Sequence, residues 1–247
     1  MENYTIAETY SLPSKGEVYA QQVGPKVRLR SMTTEEEMKR LGHSEAPNEL
    51  LAEIINDCLV EKLPIHVYDL CVADYQYLMH KLRVVTYGSN YKVSTVCPIC
   101  GKVNNDNIDL EKLDLVEFSE EMKAHLNITL PKTGKNIELR LQTPRMLDEA
   151  FAKSKDLVNK SNTKSEPAIL FNIVSMIAKV DGKVIDEFKL DSFIRKLPMK
   201  DTNFILNHIK AINFGLSTNI KCKCKSCHNE YESRLPITGE FFGPTDY

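Results

Sequence analysis

Cys97-Pro98-Ile99-Cys100-Gly101 and Cys224-Lys225-Ser226-Cys227 are two CxxC pairs set more than a hundred residues apart. The surroundings of the two pairs match. Tyr91 to Val96 leads into the first pair and Val103 to Leu110 leaves it, while Ser217 to Lys221 enters the second and Glu230 to Leu235 leaves it. Strand, knuckle, strand therefore occurs twice. A two-residue gap lets both thiolates of a pair reach one tetrahedral ion from a tight turn, at about 2.3 Å each. The constellation predicts a structural Zn2+ with Cys97, Cys100, Cys224 and Cys227 as ligands. The fold class expected is α+β and helix-rich, with a split four-cysteine zinc ribbon made by two distant hairpins around an inserted hairpin-plus-helices subdomain.

Other uses of the cysteines fit less well. A disulfide framework needs an oxidising compartment, and Met1 to Ile6 has neither the basic nor the apolar region of a secretion signal. A thioredoxin-like motif calls for one CxxC near a βαβ pattern rather than two between strands. Cys222 offers a third thiolate beside Cys224, but its spacing does not reproduce the first knuckle, so it reads as a bystander or an occasional substitute ligand. Cys58 falls on the apolar face of a helix and reads as core.

The 247 residues suffice for one sizeable core or two modest ones. Apolar residues make up 42% and charged residues 27%, the balance of an ordinary globular protein. A net charge of −2 supplies no global basic field for nucleic acid or an anionic membrane, and no apolar run reaches the ~18 residues of a membrane span.

In chain order, residues 1–90 read as an extended arm followed by helices. Val27 and Leu29 alternate with Arg28 and Arg30 as a strand, paired either with the chain's own sheet or with a neighbouring subunit. Thr33 with Glu36, or Thr34 with Glu37, forms a capping box that starts a helix ended by Gly42. Leu50, Leu51, Ile54, Ile55, Cys58 and Leu59 mark the face of a second helix. Asp74 is expected to open a third, with Tyr75, Leu78, Met79, Leu82 and Val85 on its stripe and Gly88 as its cap. Residues 91–110 and 216–236 make the split ribbon.

The insert, 111–215, opens on a hairpin, Leu126–Leu130 and Ile137–Leu141. Its Thr133-Gly134-Lys135 lacks the pattern and following helix of a phosphate loop. A helix from Thr143-Pro144 should bury Met146, Leu147, Ala150 and Phe151, before a mobile loop over 159–166. An apolar helix through Ile177, a turn at Asp181-Gly182 and a short strand at Val184-Ile185 are expected next. A helix capped by Asp191 and closed by Pro198 follows, and then one capped by Asp201 with Phe204, Ile205, His208, Ile209 and Ile212 inward. His66, His80 and His208 read as structural, the first two at the surface or its boundary. Arg83 and Tyr87 make either an interface pair or a packed helix end. Residues 237–247 read as a C-terminal interaction tail whose Phe241, Phe242, Pro244 and Tyr247 either dock on a partner or fold back. Closing a ring of roughly 125 residues costs several kcal/mol, whereas a structural zinc contributes about 10 to 16 kcal/mol, so the metal can clamp the insert's base.

Taken in series, SLPSKGEVY near the start, VRLRSMTTEEE at the first helix, DYQYLMHKLRVVTYGSNY before the CPICG knuckle, and LPITGEFFGP after the second resemble the baseplate hub proteins of T4-like contractile-tailed bacteriophages. The resemblance spans both ends of the chain, whereas residues 111–215 are less distinctive. It implies a non-enzymatic hub subunit or hub assembly protein, built in the host cytoplasm and placed in the virion tail baseplate. Other hub proteins and the tape measure protein would be its partners. The residues themselves agree in one respect: four cysteinates leave no open metal position, and no GxSxG, HExxH, Walker or Rossmann fingerprint appears. The alternative is a zinc-ribbon nucleic-acid-binding factor using Lys221, Lys223 and Lys225.

Overall fold

The computed structural model describes residues 5–42, 44–161, 168–235 and 239–243. The alternation at Val27 and Leu29 turns both side chains inward, and the arm pairs with its own chain: β1 (Ala7–Ser11) lies antiparallel to β2 (Lys26–Arg30), with Ala7 opposite Arg30 and Ser11 opposite Lys26. α1 (Thr34–Arg40) starts at Thr33, whose capping box closes with Glu36. Pro47 occupies the first turn of α2 (Pro47–Cys58), where its missing N–H costs nothing. Ile54, Ile55 and Cys58 are buried along its face.

α3 (Val72–Tyr87) begins two residues before the expected start, because Asp74 is not its cap. Ten residues of this helix are buried, including Asp74, His80 and Arg83, so it is enclosed on nearly every side. Ser14 Oγ and Tyr19 Oη donate to Asp74 Oδ2, the latter at 2.6 Å, and Ser14 N donates to Oδ1 at 3.0 Å. Burial nonetheless holds the Asp74 pKa above the ordinary carboxylate value. His80 is likewise inside rather than at the boundary; its Nδ1 contacts the Gln76 carbonyl at 2.7 Å and burial lowers its pKa. Arg83 donates to the carbonyls of Gly88 and Asn90 and lies over the Tyr87 and Tyr91 rings, which makes it a packed helix end.

Two hairpins come next in this core. The first is β3 (Asn90–Val96) with β4 (Val103–Asp109), and the second, after the insert, is formed at residues 219–234. Between them, β5 (Leu115–Val116) leads to α4 (Glu120–Ala124), β6 (Asn127–Thr129) and β7 (Asn136–Leu139). α5 (Pro144–Ser161) carries through three residues of the expected loop, 159–161; the next residues, 162–167, lie outside those described. Ala150 is buried on α5, but Phe151 is exposed, since one more residue turns the side chain about 100° out of the inward stripe.

α6 (Ala168–Met176) gives way to β8 (Ile177–Val180), which joins β7, so the strand precedes the Asp181-Gly182 turn and Val184 is solvent-exposed. Asp186, not Asp191, caps α7 (Glu187–Arg195), accepting from Phe188 N. α8 (Met199–Ala211) is preceded by Pro198, and Asp201 turns away from helix capping to accept from Lys132 N, Thr133 N and Thr133 Oγ1, fastening the hairpin turn. β9 (Gly215–Leu216) then pairs with β5, so the strands entering and leaving the insert lie side by side. A side chain at Gly215 would meet Ala73 Cβ at 3.0 Å, a close approach of this pair to α3 that glycine permits. β10 (Asn219–Lys223) and β11 (Glu230–Arg234) complete the second hairpin.

Burial separates into two apolar clusters. One gathers Leu12, Leu29, Ile54, Leu82, Tyr91, Cys97, Ile220, Cys224 and Phe241 around α3; the other gathers Ile128, Ile137, Ile173, Ile194 and Ile205 within the insert. Polar bonds join them at the start of α5. Asp148 accepts from Asn48 Nδ2 at 2.6 Å and Tyr68 Oη at 2.9 Å, and Arg145 pairs with Asp69 at 2.6 Å. At the C-terminus, Phe241 and Phe242 fold back rather than project: Phe241 meets His80 at 5.0 Å and Tyr91 at 5.3 Å between ring centroids, and both phenylalanines are buried. Pro244 and Tyr247 lie outside the described residues.

Candidate metal centre

Each hairpin tip is a six-residue connection, 97–102 and 224–229, and the two fold alike. Cys97 N donates to Lys102 O and Gly101 N to Cys97 O, both at 2.9 Å; Cys224 N donates to Asn229 O at 2.9 Å and His228 N to Cys224 O at 3.0 Å. The fifth position of each takes the left-handed conformation, Gly101 at φ 70° and His228 at φ 59°. This turn aims both cysteines of a pair to the same side.

The four predicted ligands meet. Sγ of Cys97 lies 3.8 Å from Sγ of Cys227, Sγ of Cys100 lies 3.6 Å from Sγ of Cys224, and all four sulfurs fall within 4.8 Å of one another. A sulfur tetrahedron with metal–sulfur bonds of about 2.3 Å has edges of roughly 3.8 Å, so the spacing suits an ion at its centre. These separations are far too long for a disulfide of ~2.05 Å. Among the described residues no other group of three or more His, Cys, Asp or Glu converges in this way.

Neighbouring donors favour negative sulfur. Cys227 N approaches Cys224 Sγ at 3.5 Å, Asn104 Nδ2 lies 3.7 Å from the same atom, and Asn229 Nδ2 lies 3.5 Å from Cys227 Sγ. The backbone N–H of Cys227, with that of Ser226 and the adjoining thiols, brings Cys224 down to about 6. Cys227 is lowered chiefly by the Asn229 N–H. At Cys100 the Lys102 N–H works to lower the pKa, but desolvation and the three neighbouring thiols push it up to about 11. Four thiolates fill a tetrahedral site, and an ion held by them has no position for substrate.

Side chains away from the sulfurs fix the two tips together. Asn104 Oδ1 accepts from Lys225 N at 2.8 Å, Thr95 Oγ1 and Tyr231 Oη are 2.7 Å apart, and Lys225 Nζ pairs with Asp106 at 3.1 Å. Asn104 and Asp106 escape a reading of the sequence because their partner, Lys225, lies some 120 residues away. Cys222 is buried beside Thr95 and Tyr231, outside the four-sulfur group, and burial raises its pKa.

The family described as T4 bacteriophage base plate protein has a profile that matches residues 3–243. The chain belongs to that family. Comparison with curated proteins and with solved structures gave no match. Membership in the baseplate family places the chain with a bacteriophage tail structure and with other baseplate components as its associates. None of its helices among the described residues is long and apolar enough to cross a membrane.

Proposed function

We propose that this baseplate-family chain is a non-enzymatic structural or assembly component of the baseplate hub, acting through protein contacts and stabilised by one structural zinc on Cys97, Cys100, Cys224 and Cys227. The carrying observation is a family match over nearly the whole chain joined to a four-sulfur cluster with tetrahedral spacing. In this reading the two hairpins form a split zinc ribbon, residues 111–215 are the carried subdomain, and hub subunits and the tape measure protein are the partners, met in the host cytoplasm during assembly. The nucleic-acid alternative has less support, because Lys225 is engaged by Asp106 and the chain's net charge is −2.

Purified protein should carry one equivalent of zinc by elemental analysis, and mass spectrometry should find the chain in isolated baseplates or their hub intermediates. Protein that binds no zinc after reduction would remove the metal from the reading. Absence from every tail intermediate would remove the hub assignment.

A further inference from the structure

The two apolar clusters share no side chain, and the bodies they fill meet along one seam. At one end of the seam β5 pairs with β9, Gly215 lies against Ala73, and Phe118 N donates to Pro13 O at 2.9 Å. Next along, Val72 N donates to Gln142 O, also at 2.9 Å. At the other end Arg145 donates to both oxygens of Asp69, at 2.6 and 3.0 Å, with its guanidinium 4.4 Å from the centre of the Tyr68 ring. Asp148 there accepts from Asn48 Nδ2 and Tyr68 Oη and, at 3.3 Å, from Glu49 N.

The two ends are attached in different ways. The polypeptide enters and leaves the insert through β5 and β9, so the first end is covalent and cannot separate. The second is closed almost entirely by side chains, and those of Arg145 and Asp69 are each 43% exposed, where water and salt compete for the same charges. Beside the seam a groove runs between the bodies, with Ala73 and Gln76 of α3 on one wall and Leu141, Met176, Ile209 and Phe214 of the insert on the other. Interlocked side chains resist rotation, and an open groove has none to offer. A polar contact between two separate cores leaves one body free to turn on the other.

We infer that the insert is a pivoting body, hinged at the β5–β9 pair and held closed on α2 and the Val67–Asp69 turn by a latch of Arg145 and Asp148. Closed, the latch groups satisfy one another. Open, they return to water, the groove widens, and its apolar lining is uncovered. A ligand that touches this lining only in the open position shifts the balance toward it, by no more than its preference for that position. Both cores and the cysteine cluster keep their contacts in either position, so failure of the motion leaves the hub and zinc readings standing.

The test is single-molecule fluorescence transfer in the full chain as purified, between dyes on unnatural residues at Met38 of α1 and Phe188 of α7, two exposed positions outside the seam. Wild type should show one main population, with the open form below about 10%. Arg145→Ala combined with Asp148→Ala should raise the open fraction about fivefold or more, and exchange at the Val72 amide, whose acceptor is Gln142 O, should quicken by the same factor. Amides of the inserted core and of α2 should keep their protection, which shows that both bodies remain folded. Should the double variant misfold, Arg145→Gln alone serves, with an expected rise of about twofold, and wild type should respond to 0.5 M salt in the same direction. A folded double variant with wild-type transfer and unchanged Val72 exchange would overturn the latch. Loss of protection throughout the inserted core of the single variant would also overturn it, because the seam would then be part of the insert's folding rather than of its position.

Discussion

The α3 core and the inserted core bury similar side chains but gather them over different distances along the chain. The inserted core uses residues between Leu126 and Ile209, a continuous run. The α3 core brings Leu12, Tyr91, Ile220 and Phe241 together from both ends and the middle. Local sequence can nucleate the first kind, whereas the second depends on whatever holds remote segments in place. Two fastenings serve that purpose: the four cysteines, and the Asp74 carboxylate with Ser14 and Tyr19.

The largest test of this difference is metal removal. Because a structural zinc contributes about 10 to 16 kcal/mol, chelation should strip amide protection from both cysteine hairpins and the β5–β9 pair, leaving the inserted core and α1–α2 protected in hydrogen exchange. Uniform loss across both cores would erase the distinction drawn here. Next in size are two buried carboxylates. Asp74→Ala leaves the buried Ser14 N–H and hydroxyl without their acceptor and Tyr19 Oη with Cys71 Sγ alone, and should cost about 3 kcal/mol in urea unfolding. Asp201→Ala, whose partners are neighbours on one hairpin turn, should cost about 1–2 kcal/mol and leave exchange in the α3 core unchanged.

Acid should probe the α3 core in a third way. Arg30, through its hydrogen bonds, and Thr33 hold Glu36 at about 2, against 4.5 for an ordinary glutamate. The resulting stabilisation is complete above about pH 4.5 and disappears as pH falls from there toward 2, an effect on the order of 2 kcal/mol. Glu36→Gln should flatten that part of the stability–pH curve. The smallest effect compares the two knuckles: His228→Gly relieves a left-handed residue and should stabilise by about 0.5 kcal/mol, whereas Gly101→Ala should destabilise by about 1 kcal/mol, both read from thermal midpoints.

Local chemistry was legible in the sequence. The CxxC spacing with alternating flanks led to the two hairpin tips, the Thr33–Glu36 box to the start of α1, and Gly88 to the end of α3. Features whose partners lie far away were not. Asp74 looks like the opening of a helix because Ser14 is 60 residues distant, and Asp201 looks like a helix cap because its bonds are made to Lys132 and Thr133. Phe151 was misplaced for another reason, since adjacent apolar residues on a helix cannot all face inward. The segments that suggested a phage family prove to be neighbours: SLPSKGEVY supplies Ser14 and Tyr19, DYQYLMHKLRVVTYGSNY supplies Asp74, His80 and Tyr91, and LPITGEFFGP supplies Phe241. Their shared meeting place is α3.

The long interval between the knuckles also sets an order of events during synthesis. Cys97 and Cys100 leave the ribosome first, and the entire insert must follow before Cys224 and Cys227 exist to join them. A nascent or truncated chain ending between residues 100 and 223 holds two of the four sulfurs, so closure of the cluster reports that synthesis has passed through the whole insert and reached Cys227.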